Sequence, residues 1–522
     1  MPAQAELDFT TTPPFEKGGP GGIPAHQGAR MTAAWMENLE LLAEAPGGVG
    51  RLRGLIRDLA VTGKLLPKES SVVAWTWSTL GEQVSGMDSG WSPACLDTPS
   101  PAPEVWGVLR TTAVQSLRYI QEENKELPTH LAPRPEAEVM PGDVLFTRAG
   151  PMNRVGISCL VASTRPRLML SDKIIRFRPK AEKLDGRFTA LCLNAGVTAD
   201  YLERAKSGMA ASQVNISQAK LKAAPIPLPP LPEQHRIVAK VDELMTLCDR
   251  LEARQADAQH AHARLVQALL DSLTQARDAE EFQAAWERVA GCFEGVFSTE
   301  NSVDDLRQVL LQLAIAGKLV RSMTAWKSTT LGSLGTVLGG ATPSKANPAF
   351  WSGDIPWVSP KDMKRPLIDD AADHISPEAI ESSPLKLIPV GSLLMVVRGM
   401  ILAHSFPVAL TTRPVTINQD MKALSVPKEL APYLLLYLQA SKNTMVGLVD
   451  RSSHGTCKLV SEKLWSLQIS LPPLEEQARI LAKVTELLAL CDQLKARIVA
   501  ARAKQAQLAE ALVKQAVATA AG

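Results

Sequence analysis

LPPLPEQHRIVAKVDELMTLCDRLEAR, residues 228–254, is written a second time as LPPLEEQARILAKVTELLALCDQLKAR, residues 471–497. After the prolines of the first copy, apolar residues fall at Ile237, Val241, Leu244, Cys248 and Leu251, then at Ala258, Leu265 and Leu269. The second copy repeats the pattern at Ile480, Val484, Leu487, Cys491, Leu494, Ile498, Ala501, Leu508 and Leu512. Spacings that alternate between four and three make the seam of a coiled coil. Each helix is expected to begin just after its prolines, which are tolerated in a first turn but not in a helix interior. About 40 residues at 1.5 Å each give a rod of roughly 60 Å. Two rods with matching seams are expected to pack on each other.

Outward from the rods the duplication continues. LRGLIRDLAVTGKLL (52–66) matches LRQVLLQLAIAGKLV (306–320). Between each pair lies a stretch of roughly 150 residues in which the two copies agree poorly. A frame kept twice around divergent inserts makes the frame structural and gives the inserts separate specificities. Gly63-Lys64 and Gly317-Lys318 lack the earlier Gly and the following Ser/Thr of a phosphate loop, so they read as helix ends. The inserts read as mixed α/β. Strand-type runs include DVLFTR (143–148), GISCLVA (156–162), KIIRFRP (173–179) and SLLMVVRG (392–399), and APYLLLYLQA (431–440) reads as helix.

A chain of 522 residues suggests about three domain-sized units. With 45% hydrophobic and 21% charged residues it reads as globular, and no apolar run approaches the roughly 20 residues that span a bilayer. Residues 1–30, with TTPPFEKGGPGGIP, are expected to form a disordered tail without the apolar core of a signal peptide. Met31 stands as a second candidate start. The seven cysteines are scattered with no CxxC pair, which argues against zinc and disulfides and suits the reducing cytoplasm. Net charge is only +2, yet residues 141–222 hold 14 Lys/Arg against 6 Asp/Glu, and residues 325–470 hold 14 against 11. Cations gathered locally are what phosphate contact requires.

Catalytic constellations are missing. Asn347-Pro348-Ala349-Phe350 approaches the turn of adenine methyltransferases, but no glycine-rich cofactor loop precedes it. Glu123-Asn124-Lys125 has half of a nuclease metal site and reads as exposed helix charge. His260 and His262 are two apart and point to different faces of a helix. The chain is therefore expected to be a binding protein with no metal site.

The proline-led element P-L-P-P-L-x-E-Q-x-R-I at 227–237, nearly repeated at 470–480, resembles a signature of the specificity (S) subunits of type I restriction–modification enzymes. GGATPSKANPAFWSGDIPWVSPKDM (339–363) is similar to the opening of their target-recognition domains, and VTINQDMKAL (415–424) also fits one. The resemblance implies an α+β fold with a pseudo-twofold internal repeat. It implies two target-recognition domains, each reading half of a bipartite site in double-stranded DNA, held apart by two long antiparallel coiled-coil helices. It also implies docking of two methyltransferase (M) subunits, which supply S-adenosylmethionine and the chemistry, and joining by restriction (R) subunits that use ATP and Mg. No cofactor is expected in this chain. The expected layout is a helical region at 31–70, recognition domains at 71–227 and 324–470, a central helical region at 228–323 and a C-terminal helix at 471–522. The first domain departs from the pattern, lacking a TPS…IPW opening. A methylation-only system, or a coiled-coil scaffold that binds other proteins, are the rival readings.

Base-edge readout needs Arg, Lys, Asn, Gln, Ser or Thr held rigidly at a groove. In the second domain the candidates are Ser359, Lys361, Arg398, Asn418 and Gln419, with Ser452, His454 and Lys458 placed to touch phosphates. In the first they are Arg110, Thr111, Arg148, Ser171, Lys173, Gln213 and Asn215.

Overall fold

The computed structural model describes residues 39–66, 75–320, 324–451 and 457–519. The tail expected at 1–30 and two of the candidate contacts, Ser452 and His454, lie outside the described residues.

Four helices carry the repeated frame: α1 (Gly48–Val61), α2 (Leu231–Gln275), α3 (Glu300–Ile315) and α4 (Leu474–Thr519). The Gly-Lys pairs terminate α1 and α3 identically. Gly63 and Gly317 both adopt φ of 72°. Gly63 N–H donates to Ala60 O and Lys64 N–H to Leu59 O; Gly317 and Lys318 repeat this on Ala314 and Leu313. A left-handed glycine permits this paired closure of a helix end.

The chain divides into two compact units, residues 39–258 with 502–519 and residues 259–501, so the division falls inside each long helix. In the first unit, Val241, Leu244 and Cys248 of α2 share a core with Leu52, Leu55 and Leu59 of α1 and Ala509 of α4. In the second, Val266, Leu270 and Leu273 of α2 share one with Leu306, Leu310 and Leu313 of α3 and Leu487 and Cys491 of α4. The early part of each rod thus clusters with the late part of the other, the order in which antiparallel partners meet. Arg53 pairs with Asp249 at 2.5 Å, and Arg307 pairs with Asp492 at the matching place.

The rods are 45 and 46 residues long, and the expected seam is fully buried over 237–248 and 480–491 and partly beyond, where Leu251, Leu269, Leu494, Ile498 and Leu512 still pack against the cores. Ile237, Val241, Leu244 and Cys248 are buried, as are Ile480, Val484, Leu487 and Cys491. Beyond these, Ala258 and Ala501 are exposed, and Leu265 and Leu508 are each 51% exposed. Val266, Leu270 and Leu273, and Ala509 in α4, are buried instead. Cys248 to Val266 and Cys491 to Ala509 both span 18 residues, which is five turns of a straight helix. Counting by heptads presumes a supercoil at 3.5 residues per turn and falls short by about half a residue over that distance, which puts 265 and 266 on either side of the seam.

The inserts are mixed α/β. The first is built on an antiparallel sheet in the order Val84–Ser89, Ile174–Pro179, Val144–Thr147, Ser158–Leu160. The second has a five-stranded sheet ordered Thr336–Gly339, Met421–Ser425, Ser392–Val396, Val408–Thr411, Leu367–Ile368. Val144–Thr147 and Ser392–Val396 are buried along their whole length, which is why they read as unbroken apolar runs. APYLLLYLQA is the helix Ala431–Ala440. Each insert is closed by a two-stranded antiparallel pair at its base, Thr76–Thr79 with Pro225–Leu228 and Lys327–Thr330 with Gln468–Leu471.

Glu123-Asn124-Lys125 is not helical. Asn124 and Lys125 lie in the strand Asn124–Glu126, with the Asn124 side chain buried and accepting from Ser100 N–H at 2.9 Å. Lys125 pairs with Asp97 at 2.6 Å. Strand pairing with Gly107–Leu109 outweighed the local charge pattern. Asn347 caps a short 3-10 turn, Pro348–Trp351.

Candidate nucleic-acid interface

The buried strand Val144–Thr147 runs directly into Arg148, where three segments meet. Arg148 N–H donates to Lys173 O at 2.9 Å, and Arg148 O accepts from Ile216 N–H at 2.8 Å. Asn215 lies opposite Ala149 in the strand Gln213–Asn215. Arg148, Lys173, Gln213 and Asn215 are thereby gathered by main-chain pairing alone. Lys173, Gln213 and Asn215 are exposed, while the Arg148 Nε is buried and makes no hydrogen bond to protein. Arginine is the side chain whose fork of donors matches the acceptor edge of guanine.

The second insert builds the same junction. Strand Ser392–Val396 leads to Arg398, whose N–H donates to Asp420 O at 3.2 Å. Arg398 also bridges to Lys458, and Gly399 N–H donates to Cys457 O at 3.0 Å. The pairing register sets Val397, Asp420, Arg398 and Lys458 where Arg148, Lys173, Ala149 and Asn215 stand in the first insert, so the arginine of the second junction comes one residue later. Beside them, Asn418 N–H donates to Val358 O at 3.0 Å, and the Asn418 Oδ1 accepts from Asp420 N–H at 3.0 Å. The Gln419 side chain accepts from the Thr342 hydroxyl.

The remaining candidates are placed differently. Ser359 is buried beside Asn418, and its hydroxyl donates to Asp362 at 2.8 Å. Lys361 is exposed but held by Asp373 at 2.8 Å, a hydrogen bond that raises its pKa. Ser171 is buried, with its main-chain carbonyl accepting from Gly90 and Ile174. Arg110 and Thr111 lie at a separate turn, where the Arg110 guanidinium reaches Asp97 O. Sequence reading missed Arg154, whose guanidinium gathers Thr111 O at 2.7 Å, Val114 O at 2.8 Å and Gln115 at 3.1 Å. It also missed Asp420, Thr342 and two exposed methionines, Met152 and Met400. Only Asp420 had a signal, as the neighbour of Gln419 in a stretch already singled out.

One helical frame, present twice, therefore carries two equivalent strand junctions lined by different polar side chains. That is the organisation of a two-site recognition protein. A family model for the type I restriction modification DNA specificity domain matches residues 143–259 and 323–501, and the chain belongs to that family. The Escherichia coli type I restriction enzyme EcoEI specificity subunit is 52% identical over 200 residues, covering 38% of this chain and 34% of that protein. The EcoR124I/EcoR124II specificity subunit of the same organism is 42% identical over 158 residues, covering 30% and 38%. The chain thus matches about a third of the length of each. A chain from a solved structure on complex assembly and conformational transition of the type I R-M system aligns with 86% of this chain and 99% of its own. The identity is 20% and the TM-score 0.50, a likeness of fold.

Proposed function

We propose that this chain is the DNA-reading specificity subunit of a cytoplasmic type I restriction–modification complex, with each insert reading one half of a bipartite site. The observation that carries this reading is the pair of equivalent junctions. Lys173 is replaced by Asp420 and Asn215 by Lys458, and the arginine moves along the strand by one residue, from the place of Arg148 to that of Arg398. A cation exchanged for a carboxylate changes which base edges can be met, and the surrounding frame is unchanged.

In this reading the chain breaks and makes no covalent bonds. S-adenosylmethionine, ATP and Mg belong to partner methyltransferase and restriction subunits. The rods are the docking surface for two methyltransferase subunits. Leu247 and Leu265 on α2 are exposed, and so are Leu490 and Leu508 at the matching positions of α4, two like surfaces for two like partners.

The test replaces residues 325–470 with the second insert of another family member and maps methylated adenines in a cell supplying the methyltransferase subunit. One half-site should change and the other persist. Change in both halves, or in neither, would overturn the reading.

A further inference from the structure

In both inserts the junction ends on a glycine in the positive-φ region, Gly399 directly after Arg398 and Gly150 two residues after Arg148, and a methionine facing solvent lies just beyond it. Gly399 has φ of 131° and Gly150 has 147°. Met400 is 65% exposed and its neighbour Ile401 45%; Met152, two residues after Gly150, is 43% exposed.

These apolar tips sit on braced turns. Leu402 is fully buried beneath Met400 and Ile401, and Leu402 N–H donates to Gly399 O at 3.1 Å. The Arg451 guanidinium donates to Ala403 O at 3.3 Å, tying the turn to the Val449–Arg451 strand. In the first insert, Met152 N–H donates to Ala211 O at 2.8 Å, and Lys206 Nζ donates to Met152 O at 2.9 Å. Exposed Arg398, Arg451 and Lys458 lie on the segments joined at the Met400 turn; near Met152 the half-buried Arg148 adds a cation, while Lys206 is 9% exposed and paired with Glu203 at 2.6 Å.

An apolar prow inside a cationic collar fits a polyanion that carries apolar faces within it. Phosphates answer the collar, and base faces answer the prow. A single thymine methyl would occupy only a fraction of two adjacent large side chains, whereas the face of an unstacked base covers both. Met, Ile and Pro are among the residues that proteins insert at base-pair steps. We infer that Met400 with Ile401 in one insert, and Met152 in the other, wedge into a base step within the half-site that each insert reads. This rests on the DNA-reading function proposed above.

The experiment uses the full chain and duplexes that it selects from a random pool, with 2-aminopurine placed at each position in turn. Binding should raise the fluorescence several-fold at one step in each half-site. Met400→Ala with Ile401→Ala should abolish the rise in one half and Met152→Ala in the other, each weakening binding about tenfold. Met400→Leu, which keeps the apolar bulk, should retain the rise. All of these side chains are exposed, so the fold is not at stake.

Three outcomes overturn the wedge. The alanine variants could keep the rise. Replacing a thymine by uracil could reproduce their loss of affinity with no fluorescence rise in the wild type, which marks edge contact. Or they could bind DNA normally and fail to co-purify with the methyltransferase subunit, which marks a protein contact. If the wild-type chain shows no salt-dependent duplex binding, the proposed function falls first and the wedge with it.

Discussion

The indole N–H of Trp75 donates to the Glu233 carboxylate at 3.1 Å, and Trp326 makes the same bond to Glu476 at 3.0 Å. Each tryptophan packs against the glycine that ends α1 or α3, and each glutamate lies in the first turn of a rod. The neighbouring glutamines hold the rod entrance from the other side. Gln234 Nε2 donates to Pro229 O, and Gln477 Nε2 to Pro472 O, both at 2.8 Å. The repeated P-P-L-x-E-Q stretch is therefore a clasp between short helix, base strand and long helix.

Trp326→Phe removes one end of that clasp. Glu476 is 5% exposed, so its carboxylate would be left buried without the indole donor. The loss should be about 1–3 kcal/mol, read as a lower urea midpoint with an unchanged slope. Trp75→Phe should cost less, because Glu233 is half-buried and water can replace the bond. A midpoint unmoved by Trp326→Phe would contradict this.

Glycines at the helix ends and within the helix should respond oppositely. Alanine at Gly63 or Gly317 would hold a left-handed residue and bring its Cβ within 3.0 or 3.1 Å of the Trp75 or Trp326 ring. Each should destabilise by at least about 1–2 kcal/mol. Gly54 lies inside α1 with open space around its Cβ position, so Gly54→Ala should stabilise by about 0.5–1 kcal/mol. Thermal melts of the three variants decide it, and a gain at Gly317 would refute the clasp geometry.

How much of this was written in the sequence depends on the range of the interaction. The rods, the Gly-Lys helix ends and the strands around 144, 174 and 392 follow from local periodicity and turn chemistry, and were legible. The shift of burial from Leu265 to Val266 was not, because both are apolar and only the straightness of the helix separates them. The junctions were half legible. Arg148 and Arg398 stand out as charges ending apolar runs. That Lys173 and Asp420 share a place depends on long-range pairing, as does the enclosure of Ser171 and Ser359.

Arg148→Ala and Arg398→Ala should each relax discrimination at a base pair in their own half-site by about 1–3 kcal/mol, leaving the other half untouched. Lys361→Ala should change affinity little, since that ammonium is engaged with Asp373. Competition binding with single-base variants of the selected duplex measures both. An arginine variant that weakened all sequences equally would reassign that residue to phosphate contact.

Thiol chemistry should separate the cysteines by burial. Cys159, Cys192, Cys248, Cys457 and Cys491 are buried, and Cys292 is exposed. Burial pushes the Cys159 thiol up to about 12 and raises Cys192, Cys248 and Cys491 as well. The thiolate is the reactive form, so these groups should resist iodoacetamide at pH 8 until the chain unfolds. Mass spectrometry should find Cys292 labelled first, with Cys95, partly buried and raised, following slowly. Rapid labelling of Cys159 in the folded chain would contradict the packing of its sheet.

The mid-rod register gives the sharpest contrast between neighbours. Leu265→Ala removes a side chain that is half in solvent and should cost no more than about 0.5 kcal/mol. Val266→Ala empties space in the core shared with α3 and should cost about 1–3 kcal/mol despite deleting fewer atoms. In α4 the test runs the other way. Ala509→Leu overfills a buried position and should destabilise by about 1–3 kcal/mol, while Leu508→Ala beside it should be nearly neutral. Exposed leucines kept at matching places in both rods need another use, so Leu265→Ser with Leu508→Ser should weaken methyltransferase-subunit assembly at unchanged stability. Urea denaturation of the four single variants reads the register, and co-purification of the double variant reads the docking. A larger stability loss at Leu265 than at Val266 would restore the strict heptad seam and remove the reason for placing a partner on these leucines.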